Sequence, residues 1–263
     1  MAEIKPRVYH QKKVNLYDQL PLEVPFSVHI DVCSSCNFSC TFCFQNDKKG
    51  MREASINWGL MDWEVFRSTV DDLKLFPSKI KKVKIGNHGE PTLHPKLPEM
   101  IKYIADSNVC ETIEVFTNGS RLEPVLNQKL IDSGLQRINI SVEGLTAEAY
   151  KLVAGYNLDY ELFVANLKDL STRKTEKLSI YIKVVDHAVT KTGQNKETID
   201  LSDKEKEDFY KMFGDIADEM AVENVVPQWA ETDQNEMTNT GMYGQAIRGD
   251  KKVCPFPFMY LHI

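Results

Sequence analysis

"DVCSSCNFSCTFCFQ", residues Asp31–Gln45, places four of the chain's six cysteines within eleven positions. Such crowding serves disulfides, zinc or an iron–sulfur cluster, and each choice implies a different protein. The stretch also ends an alternating run, "SVHIDVC" (27–33), that reads as a β-strand.

The surroundings narrow the choice. The chain has 263 residues, 42% of them hydrophobic, enough for one large domain or two small ones. Lys plus Arg total 32 against 38 Asp plus Glu, a formal charge of −6 that argues against general nucleic-acid binding. No apolar run is long enough to span a membrane, and "MAEIKPRVYHQKK" lacks the apolar stretch of a secretory signal. The expectation is a cytoplasmic protein with reduced thiols, which makes disulfides the weakest reading of the cysteines.

Outward from the cysteines, short β-rich segments alternate with helical ones. The strands after 27–33 are expected at 81–86, 111–117, 137–143, 178–185 and 224–229. Between them, Trp63, Phe66, Val70 and Leu73 form an apolar stripe behind a candidate N-cap, Asp62. Leu97, Met100, Ile101 and Ile104 form another, and Phe163, Leu167 and Leu170 a further one. One helix is expected to stop at Gly134, and Ser202 with Glu205 has capping-box spacing. Repeated β-then-α units predict a parallel sheet with right-handed crossovers. Six units fall short of a closed TIM barrel. The expected fold is α/β, a partial (β/α)6 TIM-like barrel with parallel strands; a doubly wound open sheet is the alternative.

Several strands alternate polar and apolar residues, although parallel strands covered on both faces are usually apolar throughout. Ser27, His29, Asp31 and Cys33 share one face, as do Asn139, Ser141 and Glu143; Lys84, Tyr181 and Lys183 behave alike. These side chains are expected to point into the barrel. There they line a wet ligand cavity or satisfy one another, for example Lys84 with Glu114.

The cysteines are Cys33, Cys36, Cys40 and Cys43. A zinc site commonly takes two close pairs with a long connection; here only three residues separate the pairs. Bacterial ferredoxin spacing is also different. In the subset Cys36-x3-Cys40-x2-Cys43, three thiolates on one loop can hold three corners of a cubane and leave the fourth iron open.

"CNFSCTFC" resembles the C-x3-C-x-aromatic-C signature of the radical S-adenosylmethionine (SAM) superfamily, with Phe42 in the aromatic place. The resemblance implies a [4Fe-4S] cluster on Cys36, Cys40 and Cys43, with SAM chelating the open iron. Reduction then cleaves SAM to a 5′-deoxyadenosyl radical that abstracts hydrogen from a substrate. Cys33 lies outside the signature and reads as a strand-end thiol. Gly89, Glu90 and Pro91 resemble the family's Gly-Gly-Glu-Pro motif, which binds the SAM amino group, with His88 in place of the first glycine. "FTNGS" (116–120) and "ISVEG" (140–144) resemble segments that approach SAM, which implies roles for Asn118, Ser141 and Glu143. Lys183, His187 and Gln228 are substrate-side candidates, and Cys110 reads as a core thiol.

The resemblance divides the chain into an N-terminal extension (1–25), the partial barrel (26–235), and a linker that begins a SPASM or Twitch extension (236–263). "KKVCPFPFMYLHI", with Cys254, resembles the start of that extension. About 25 residues precede the first strand, too few for a leader-peptide-binding domain. The expected enzyme therefore acts on a small polar substrate of sugar or aminocyclitol type, with an electron donor such as flavodoxin or ferredoxin. A peptide maturase and a non-catalytic metal or iron–sulfur protein are the alternatives.

Overall fold

The alternating segments pair side by side as parallel strands. The computed structural model describes residues 1–7, 16–53, 55, 58–186, 188–192, 195–224 and 256–263. In chain order the elements are β1 (Glu3–Ile4), β2 (Ser27–Ile30), α1 (Lys48–Glu53), α2 (Trp63–Leu73), β3 (Ile80–Ile85) and α3 (Leu97–Ser107). There follow β4 (Cys110–Thr117), α4 (Pro124–Asp132), β5 (Arg137–Val142), α5 (Ala147–Ala154), α6 (Tyr160–Arg173) and β6 (Ser179–Asp186). The chain continues through β7 (Ala188–Thr192), β8 (Asn195–Ile199), α7 (Asp203–Phe213), β9 (Glu219–Asn224) and β10 (Tyr260–His262).

The main sheet has eight strands in the order β1-β9-β6-β5-β4-β3-β2-β10, and every neighbouring pair is parallel. Strands β2, β3, β4, β5, β6 and β9 are the six of the expected partial barrel. The short strands β1 and β10 extend it at its two edges. Strands β7 and β8 form a separate antiparallel pair.

Local sequence explains the helices. The Asp62 carboxylate accepts the backbone N–H groups of Glu64 and Val65 and starts α2. Ser202 and Glu205 form the full capping box of α7. Helix α4 gives way at Gly134, whose φ of +87° is the left-handed conformation expected past a helix end. On the helix side of the sheet, Val28, Ile30, Val83, Ile85, Val115, Ile138, Ile140, Ile180 and Ile182 are buried. They join one core with Phe66, Met100, Ile104, Leu130, Phe163, Leu167, Phe209 and Phe213. Each such side chain contributes about 1.5–3 kcal/mol by leaving water.

Sequence and structure part in a few places. The sixth strand runs over Glu219–Asn224, so it meets the expected 224–229 only at Asn224. Its pairing with β6 begins at Tyr181↔Glu219, and the polar Glu219 and Glu223 hide it from an apolar search. Residues 225–229 lie outside the described residues. Helix α5 and the β7–β8 pair were not anticipated.

The polar strand faces do point inward, and several of their side chains satisfy one another. Arg137 Nη2 donates to Glu219 Oε2 at 2.6 Å, and Lys5 Nζ lies 2.9 Å from Glu219 Oε1. Tyr181 Oη donates to Glu223 at 2.9 Å, and Lys183 Nζ stands 3.6 Å from the same carboxylate. Glu114 is paired, but with Lys82 at 2.6 Å rather than with Lys84, its neighbour in the strand register. Among the described residues Lys84 has no ion pair. Its ammonium lies 5.7 Å from the Tyr260 ring, and burial pushes its pKa down to about 8.

Candidate active site

The cysteine loop leaves the C-terminal end of β2 and is tied down along its length. The backbone N–H groups of Ser39 and Thr41 donate to the carbonyls of Ala154 and Val153, at 2.8 and 2.9 Å. The buried Phe38 ring packs on Tyr150 and Tyr156, with centroids 6.0 and 4.8 Å away. Asn37 Nδ2 donates to Ser120 Oγ at 2.8 Å, and Gln45 Nε2 to the carbonyl of Ser34 at 2.9 Å. Cys33 is buried, with its thiol turned to the Ser35 carbonyl at 3.3 Å, in keeping with a strand-end thiol.

Cys40 is buried; Cys36 and Cys43 are half-buried. Burial, with Glu90 and Cys43 nearby, pushes Cys36 up to about 11. Burial and the Glu143 carboxylate push Cys40 up as well. Thiolates here call for positive charge from a bound group. A single tetrahedral zinc with bonds of about 2.3 Å would draw thiolates to about 3.8 Å of one another. Among the described residues, the one trio of candidate ligand atoms that meets within 4.8 Å contains no cysteine. The three cysteine sulfurs do not all fall within 4.8 Å of one another, in keeping with a group larger than a single ion.

The loops after β3 and β4 close on this one. Glu90 is buried, and burial raises its carboxyl. Its Oε1 accepts the N–H and hydroxyl of Thr92, at 3.0 and 2.5 Å, and the hydroxyl of Thr117 at 2.6 Å. Its Oε2 accepts the Asn118 N–H at 2.7 Å. Pro91, also buried, opens the 3-10 turn Pro91–Leu93 that Glu90 caps. Gly89 adopts φ +75° directly against the cysteine loop; a Cβ there would sit 2.3 Å from the Cys33 carbonyl. Asn118 Nδ2 donates to Asn37 Oδ1 at 2.9 Å and lies 3.8 Å from Cys36 Sγ. The structure thus brings Gly89, Glu90, Pro91 and Asn118 onto the loop of Cys36, Cys40 and Cys43.

On the other flank, Ser141 is half-buried on β5, beside Lys183 of β6 in the strand register. Glu143, just past β5, is buried; its Oε2 has no hydrogen-bond partner, and burial raises its carboxyl against the pull of Lys183. Such an orphaned oxygen near Cys40 suits a site made to receive a polar group. Phe42 is half-buried and packs on the core. His187, Gln228 and Cys254 lie outside the described residues.

The sequence reading missed Thr92, Thr117, Asn37 and Phe38. Thr117 lies in the quoted "FTNGS", but isolated hydroxyls give no sign of the carboxylate they will meet.

Known proteins are similar to this chain in sequence and fold. A profile of the Radical SAM superfamily matches residues 30–203. The probable GTP 3′,8-cyclase of Methanococcus maripaludis is 35% identical over 134 residues, 51% of this chain and 42% of that protein. The tungsten-containing aldehyde ferredoxin oxidoreductase cofactor-modifying protein of Pyrococcus furiosus is 24% identical over 208 residues, 76% of this chain and 51% of that one. The chain therefore spans about half the length of the curated relatives it matches. In fold, it is similar to Streptococcus suis SuiB bound to S-adenosylmethionine, with a TM-score of 0.60 and 15% identity over 83% of this chain and 45% of SuiB. No helix among the described residues is long and apolar enough to cross a membrane. With its profile matched over well more than half of its length, the chain belongs to the radical SAM superfamily, and its cofactors are that family's [4Fe-4S] cluster and S-adenosylmethionine.

Proposed function

We propose that this chain carries the catalytic barrel of a radical SAM enzyme that abstracts hydrogen from a small polar substrate of sugar or aminocyclitol type. The observation that carries the reading is the closure of the Glu90–Thr117–Asn118 hydrogen bonds onto the loop of Cys36, Cys40 and Cys43 at the C-terminal ends of parallel strands. Residues 26–235 are the barrel in this reading, 1–25 an extension before it, and 236–263 the approach to a SPASM- or Twitch-type extension.

Cys36, Cys40 and Cys43 hold the cluster. A [4Fe-4S] cluster held there would supply the electron for reductive cleavage of bound SAM. A flavodoxin or ferredoxin is the electron donor in this reading. Glu90 has a single donor on Oε2, which leaves that oxygen able to accept the SAM ammonium group. Gly89 and Pro91 set its loop against the cysteines. Asn118 fixes the Cys36 side of the loop, Phe42 backs Cys43, and Ser141 and Glu143 offer polar groups from the opposite flank. Lys84, without an ion pair among the described residues, offers a cationic group on the inward face of β3, which suits a polar substrate. The cyclase resemblance, by that protein's name, is also to an enzyme of a small polar molecule.

The test is anaerobic reconstitution followed by measurement of 5′-deoxyadenosine with sugar nucleotides, aminocyclitols and peptides in turn. Stimulation by a sugar or aminocyclitol is expected. Stimulation by peptides alone would make the protein a peptide maturase. A metal centre indifferent to SAM would make it a non-catalytic metal or iron–sulfur protein.

A further inference from the structure

Beside the cysteine loop, three further side chains converge from separate parts of the fold. Asp31 follows β2, His88 sits in the loop after β3, and His262 ends β10. Asp31 Oδ2 lies 2.6 Å from His88 Nδ1 and 2.8 Å from His262 Nε2, and all three atoms fall within 4.8 Å of one another. The two imidazoles are stacked, with centroids 4.9 Å apart and planes 11° from parallel.

The carboxylate is held ready. Asp31 Oδ1 accepts the backbone N–H groups of Asn87 and His88, at 2.8 and 3.0 Å, which leaves Oδ2 facing the two rings. The second nitrogen of His88 is 3.4 Å from the Asn87 side-chain amide. As placed, the amide nitrogen faces Nε2 and Nδ1–H donates to Asp31 Oδ2; on metal binding the proton passes to Nε2, where the Asn87 amide, turned over, can accept it. The side chains of Asp31, His88 and His262 are 15%, 30% and 42% exposed, so an ion can reach them from solvent. His88 also stands where the resembled motif has glycine, so the cluster is a property of this chain and not of the motif.

We propose that Asp31, His88 and His262 bind a divalent first-row transition ion at a site separate from the iron–sulfur cluster. Two imidazoles and one carboxylate suit Zn²⁺, Co²⁺, Ni²⁺ or Fe²⁺ better than Mg²⁺ or Ca²⁺. With bonds of about 2.1 Å, ligand atoms around a tetrahedral ion stand about 3.4 Å apart. The two short contacts therefore open by less than about 1 Å, a small side-chain rotation. Each neutral imidazole moves its proton to the nitrogen facing away, and no electron is transferred. Three protein ligands leave a position for water or for an anionic oxygen of an incoming molecule.

The experiment titrates Co²⁺ anaerobically into the 263-residue chain carrying Cys36→Ala, Cys40→Ala and Cys43→Ala, which removes the cluster thiols. One equivalent is expected to bind, with visible d–d bands and no near-ultraviolet thiolate band. Asp31→Ala, His88→Ala and His262→Ala are each expected to weaken binding at least about tenfold, with circular dichroism unchanged. If the triple-cysteine chain does not fold, zinc is added to the cluster-loaded wild-type chain and metal is counted after gel filtration. One zinc per chain is then expected, lost in His262→Ala without loss of iron. Absence of binding to a folded chain, affinity unaffected by His88→Ala and His262→Ala, or a thiolate band from Cys33, Cys110 or Cys254 would overturn the proposal.

Discussion

The backbone N–H of Glu90 donates to the carbonyl of Ser35 at 2.8 Å, so the loop after β3 is fastened directly to the loop that carries the cysteines. Whatever disturbs one of these loops disturbs the other.

Gly89→Ala tests that fastening. The new methyl would meet the Cys33 carbonyl at 2.3 Å, on a backbone at φ +75°. Strain and clash together are expected to cost about 2–4 kcal/mol. Urea denaturation measures the loss, and iron bound per chain after reconstitution is expected to fall with it.

Glu90→Gln keeps the volume and removes an acceptor. The amide nitrogen must then face a group that itself donates: Thr92, Thr117 or Asn118. A destabilisation of about 1–3 kcal/mol is expected, with weaker SAM binding by calorimetry. Full stability together with unchanged SAM affinity would rule out both roles given to Glu90.

Phe38→Ala removes the ring that anchors the cysteine loop between Tyr150 and Tyr156. A loss of about 3–5 kcal/mol in denaturant is expected. The cluster is expected to bleach faster under a chelator, because the loop loses its inner support.

Lys84 should make stability depend on alkaline pH. Its pKa is about 8 in the folded protein against an ordinary 10.5. Between those values the unfolded chain binds more protons, so this group's contribution to stability rises with pH across that window. Below about pH 8 both states are protonated, and the buried charge opposes folding by a constant amount. Lys84→Met should raise the urea midpoint at pH 7 and flatten the slope from pH 8 to 10.5. Parallel curves for the two proteins would refute this.

Five of the six barrel strands were legible in the sequence because alternation is a strong signal when one face is wholly apolar, as with Ile138, Ile140 and Val142. Strand β9 was misplaced because its inward residues are Glu219 and Glu223, whose partners Arg137, Lys5 and Tyr181 come from far along the chain. Strands β1 and β10 are two and three residues long, too short for any period. The cysteines stand out by their tight local spacing, and Glu90 and Asn118 through short segments that resemble the family's motifs. Thr117, Thr92 and the Asp31–His88–His262 convergence did not, since strand register and loop closure alone bring them together.

The Arg137–Glu219–Lys5 contacts have a consequence at the far end of the barrel. Side chains alternate along a strand, so sliding β9 by one residue would turn Glu219 away and strand the Arg137 guanidinium without a counter-charge, at a cost of about 3–5 kcal/mol. The ionic floor therefore acts as a ratchet: it admits one alignment of the strands and so fixes the height at which their upper ends, and every loop they carry, come level.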